Sequence, residues 1–61
     1  MNDILDDVIS FLDENGAASM VDLVEALEYD RENILEAIRP NGKLDERLVY
    51  SRVLGSTYSL R

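Results

Sequence analysis

Carboxylates, arginines and hydroxyls are the side chains of this 61-residue chain that could do chemistry, because it has no cysteine and no histidine. Disulfides, thiolate or imidazole metal sites and the usual nucleophile-base pairs are thereby excluded. Catalysis would then need two carboxylates held in a buried pocket, and a core this small has scarcely room for a pocket of about 300 Å³. Asp6 and Asp7 are adjacent, so on a helix they point to different parts of the surface and make a poor metal pair. The sequence predicts no enzyme, no metal and no cofactor. What remains is recognition by charge and hydrogen bonding.

The net charge is −7, from 13 acids against 6 bases, and it is unevenly spread. Residues 1–30 hold nine acids and no base, giving −9. Residues 31–61 hold all six bases (Arg31, Arg39, Lys43, Arg47, Arg52, Arg61) and four acids (Glu32, Glu36, Asp45, Glu46), giving +2. An acidic total argues against a nucleic-acid partner, since that affinity comes largely from cations on phosphates. The asymmetry changes the argument, because it leaves one repelling side and one side tolerant of anions. A single lysine among so many carboxylates also resembles the composition of proteins from salt-loving archaea. In concentrated salt such surface charge is strongly screened, so an acidic total is compatible with DNA.

The elements that must position these charges are legible from caps and periodicity. Asn2 or Asp3 caps a first helix, in which Ile4, Leu5, Val8, Ile9, Phe11 and Leu12 recur at helical spacing. It ends at Asn15-Gly16, where glycine can take the left-handed C-cap conformation. Ala17 and Ala18 carry the chain to Ser19, which with Asp22 three residues on comes close to a capping box. The second helix then starts near Met20, with Met20, Val21, Leu23, Val24 and Leu27 as its apolar side. Asp30 caps a third helix over residues 31–39, with Ile34, Leu35 and Ile38 as its buried stripe, Ala37 at the edge of its open face, and Pro40 as its stop. Tyr29 is expected to pack between the second and third helices. Two short helices joined in this way form a helix-turn-helix.

After Pro40 the turn signal Asn41-Gly42 introduces a segment rich in strand formers. Residues 48–53 form one strand candidate and residues 57–60 another, with Gly55-Ser56 as the tight turn between them. Apolar residues occur at both parities of the first strand, so its buried face stays open, and Leu44 either forms a short extra strand or covers the core. The length bounds one domain over residues 1–61 with a thin core, since chains of this size bury only about 60% of their unfolded surface. No apolar run approaches the roughly 18 residues needed to cross a bilayer, and no basic-then-apolar start suggests a signal peptide. A soluble cytoplasmic protein is expected.

The segments MVDLVEALEYDRENILEAIR and RLVYSRVLGSTYSLR, the latter ending in an aromatic-x-Leu pattern at Tyr58 and Leu60, resemble the winged helix-turn-helix domains. The resemblance implies an α+β fold: a three-helix bundle containing the helix-turn-helix, followed by a two-stranded β-hairpin wing. It also implies a small DNA-binding transcription regulator, with helix three in the major groove and the wing on the neighbouring backbone or minor groove of double-stranded DNA. The residues so placed are Arg31, Asn33, Glu36, Arg39, Lys43, Arg47, Arg52, Ser56 and Thr57. Asn33 suits an adenine edge and a glutamate a cytosine amine, although two carboxylates near phosphates are unfavourable at low salt.

Plainer readings stand beside each of these. The cations serve solubility, with Arg47 or Arg52 pairing a nearby acid, and Ser56 and Thr57 are turn formers before they are phosphate donors. Tyr50 and Tyr58 read as packing residues, since no basic-aromatic interleaving surrounds them. Because winged helices also serve as docking modules, the alternative function is an acidic protein-interaction domain. It would hold a basic protein partner through helices one and two or through Glu32 and Glu36. A homodimer, through Phe11 or the edge of the wing, is compatible with either reading.

Overall fold

The local signals become six elements in the computed structural model, which describes residues 3–53 and 55–61. They are α1 (Asp3–Asn15), β1 (Ala17–Ser19), α2 (Met20–Leu27), α3 (Arg31–Ile38), β2 (Leu48–Ser51) and β3 (Thr57–Leu60). The described chain is thus α+β, with three helices and a three-stranded antiparallel sheet. The proposed Asn2 cap lies outside the described residues.

Helix boundaries follow the backbone chemistry. Gly16, at φ +87°, closes α1 by donating its N–H to the Leu12 carbonyl at 2.7 Å. At the start of α2 the capping box forms in full: the Asp22 N–H donates to Ser19 Oγ and the Ser19 N–H donates to the Asp22 carboxylate, each at 3.2 Å. The helix stops at Glu28, held at φ 59° and ψ 32°, a left-handed conformation that costs a residue bearing a Cβ and usually belongs to glycine. The third helix ends one residue earlier than expected. Arg39 is its C-cap, with its N–H on the Leu35 carbonyl at 2.9 Å, and Pro40 follows.

The sheet order is β1-β3-β2, so β3 is central. Ala18 pairs with Tyr58, which pairs with Tyr50 on its other side. Leu48 pairs with Leu60 two residues along the same face. That face meets the core, and it settles the parity left open by the sequence: Leu48 is buried and Val49 points outward. The helices close over it, α1 packing on α3 and β3, and α2 on α3 and β1. Among the described residues, ten buried hydrophobic side chains form one cluster, with Val8, Leu23, Ile34 and Ile38 at 0% exposure.

Several expectations need correction. The sheet has a third strand, because Ala17–Ser19 is extended between the Gly16 turn and the Ser19 cap and lends its backbone to β3. Of the two roles open to Leu44, the second holds: it covers the core and makes no strand. The first strand of the C-terminal pair stops at Ser51, whose Oγ accepts the Val53 N–H at 3.3 Å, so a local side-chain bond competes with the ladder there. Val21 is 65% exposed rather than on the buried side of α2, and Ala37 is buried rather than at the rim of α3. Asp30 is the α3 N-cap by backbone conformation, but its side chain makes no cap hydrogen bond. Tyr29 reaches past the α2–α3 turn to α1, donating its hydroxyl to the Asp7 carboxylate at 2.6 Å.

Candidate nucleic-acid interface

Where α2, α3, β2 and β3 converge, they leave an open cleft of about 500 Å³. Its apolar walls include Val21 and Val24 of α2, Leu35 of α3 and Tyr50 of β2. Glu25, Arg31 and Ser56 supply polar groups. The expectation that so small a chain has no room for such a volume holds only for its interior. A concave surface needs no thick core, only two helices and a strand pair that meet at an angle. Tyr50 is held there by its neighbour: its ring lies 4.9 Å from that of buried Tyr58, tilted by 49°, within the favourable range for an aromatic pair.

The nine residues expected at a duplex fall into separate groups. Arg31 and Ser56 come together at the cleft, beside Ser19 at the start of α2. Asn33 and Glu36 do not join them. They line a shallow hollow of about 240 Å³ with Ile4 and Ala37, on the side of α3 that meets α1. Arg39 and Lys43 are exposed on either side of the turn at Pro40–Gly42, where Gly42 donates to the Arg39 carbonyl at 3.2 Å. Arg52 is exposed just beyond β2, and Thr57 is half-buried at the start of β3, in register with Ser19 and Ser51.

Arg47 differs from the other cations, and the plainer reading of it is the one observed. Its backbone N–H donates to Asp45 Oδ1 at 2.9 Å and its Nε to the same atom at 3.2 Å. These bonds to the charged carboxylate, the backbone one foremost, hold Asp45 below the usual carboxylate range. It is the one salt bridge found among the described residues.

The exposed residues of α3 are Arg31, Glu32, Asn33 and Glu36, a mixed surface with more acid than base. Sequence reasoning missed the cleft because Val21 read as core and Tyr50 had no assigned face. The available signal was the spacing of Val21 and Glu25, which places both on one helix side next to Val24. Among the described residues no cluster of acidic side chains is arranged to hold a metal, and no helix is long and apolar enough to cross a membrane.

The comparisons add no relative. Protein-family models, curated proteins and solved structures give no match to this chain.

Proposed function

We propose that this chain is a winged-helix DNA-binding domain, acting as a small transcription regulator that contacts duplex DNA through α3 and the β2–β3 connection as its wing. The observation that carries the reading is architectural. The pair α2–α3 is joined by only Glu28, Tyr29 and Asp30, and beside it stand two consecutive antiparallel strands. This is the helix-turn-helix and strand pair that the winged geometry requires. Four exposed cations without an acid partner among the described residues, Arg31, Arg39, Lys43 and Arg52, lie on these elements or their connections.

The test is a residue-resolved NMR titration with a generic duplex at low and high salt. Shifts confined to residues 33–43 and 52–57, together with Arg31, are expected. Arg39→Ala and Arg52→Ala should each weaken binding and lower its salt slope by about one unit. Unchanged affinity in both variants would remove the surface from consideration.

A second reading is favoured by one observation. Glu32 and Glu36 are both exposed on α3, where they repel phosphate and attract a basic protein. Reversing both to lysine would abolish capture of a basic partner on that reading and strengthen duplex binding on the first.

A further inference from the structure

The cleft combines three properties that together specify a ligand. Its volume of about 500 Å³ falls within the range of small-molecule sites, roughly 300–1,000 Å³. Its walls offer apolar surface at Val21, Val24, Leu35 and Tyr50, and Val21, at 65% exposure, is largely unused by the fold. It also presents one carboxylate, Glu25 on α2, and one guanidinium, Arg31 on α3. These two do not pair with each other, and neither has an ion-pair partner among the described residues.

We propose that the cleft is a binding site for a small zwitterion with an apolar body, the chemistry of an α-amino acid bearing an aromatic or branched side chain. The ligand's carboxylate lies on Arg31, whose planar fork suits it. Its ammonium lies on Glu25, and its side chain covers Val24 and Leu35 against the Tyr50 ring. A simple carboxylate would meet Glu25 unfavourably and a simple amine would meet Arg31 unfavourably. Only a molecule carrying both charges matches both walls. The inference shares Arg31 with the duplex reading, but its test contains no nucleic acid, so the two fail separately.

The experiment is an amide NMR titration of the full chain with L-tryptophan, and in parallel with tryptamine and indole-3-propionate, which each lack one charge. Saturable shifts at Val24, Leu35 and Tyr50 are expected with L-tryptophan, with affinity about three- to tenfold weaker for either analogue. Glu25→Gln and Arg31→Gln, both at exposed positions, should each lower the affinity for L-tryptophan while bringing one analogue level with it. Equal response to all three molecules would reduce the cleft to an unselective apolar patch and overturn the proposal. So would shifts that fail to saturate or that fall elsewhere. Shifts at the same residues on simple dilution without ligand would assign the cleft to a second copy of the chain, and would overturn it as well.

Discussion

Among the described residues, 1–30 and 31–61 each supply five buried hydrophobic side chains, yet the two segments carry opposite net charge. The first segment buries Leu5, Val8, Leu12, Ala18 and Leu23, and the second buries Ile34, Ala37, Ile38, Leu48 and Tyr58. Outside the core, the first carries −9 without a single base while the second carries +2. No polar or charged side chain is buried among the described residues, so the packing is blind to this partition. The lesson is that charge here is a surface property, so its division along the chain does not enter the packing of the core. The two segments are nevertheless joined in one sheet, because β1 of the first is paired to β3 of the second.

The strongest way to break that comparison is to truncate one core residue from each segment. Leu12→Ala and Ile38→Ala should each cost about 2–5 kcal/mol. Total stability on the order of 3–9 kcal/mol follows from about 0.05–0.15 kcal/mol per residue, so either change should remove a large share of it and lower the urea midpoint. Urea titration followed by far-ultraviolet circular dichroism measures both. Comparable losses sharpen the picture of a shared core, whereas a loss confined to one variant would mean that one segment folds without the other.

The helix starts offer the next contrast, since Ser19 and Asp30 begin the two short helices with different caps. Ser19→Ala removes a complete capping box and should cost about 0.5–2 kcal/mol. Asp30→Ala removes a side chain that makes no cap hydrogen bond, and only a few tenths of a kcal/mol through the helix dipole are at stake. Equal melting-temperature shifts in the two variants would contradict the difference in geometry.

A smaller effect tests the tie from the α2–α3 turn back to α1. Tyr29→Phe deletes the hydroxyl that donates to Asp7 at 2.6 Å and should cost about 0.5–1.5 kcal/mol. A double-mutant cycle with Asp7→Ala isolates the bond: a coupling near zero would show that Tyr29 acts only by packing.

The smallest effect is acid-sensitive and belongs to the second segment alone. Asp45 is held below the usual carboxylate range by the Arg47 backbone N–H and then by its guanidinium. A carboxyl depressed in the folded state adds stability above its unfolded pKa, and that stability is lost as pH falls through the folded pKa. Asp45→Asn should therefore melt slightly below the wild type at neutral pH and converge with it in acid. A difference that persists below the carboxylate range would assign the effect to something other than ionisation.

Much of the fold was legible because its signals are local. The α1 stop, the α2 start and both ends of α3 fall within a residue or so of where caps, glycine and proline place them, since each depends on backbone groups three or four residues away, whereas the left-handed Glu28 that stops α2 carried no such signal. The candidate site was less legible. Arg31 and Ser56 share a cleft and Asn33 and Glu36 lie on another side of α3, a division set by how α3 rests against α1 and the sheet. A helical wheel identifies an apolar stripe but not which neighbour covers it, so Leu35 read as core while Ala37 is the residue buried.

By itself the sequence determined the absence of thiol and imidazole chemistry, the division of charge at residue 30, the α1 stop, the α2 start, the limits of α3 and the Thr57–Leu60 strand. Those follow from composition, from φ restrictions and from hydrogen bonds between near neighbours. The tertiary structure alone decided that Ala17–Ser19 is a strand, that Leu48 is buried while Tyr50 on the same face lines an open cleft with Val21, and that Tyr29 binds Asp7. Each of these joins groups far apart in the chain. No local pattern encodes such a pairing, because its free energy arises only when the folded backbone brings both members together.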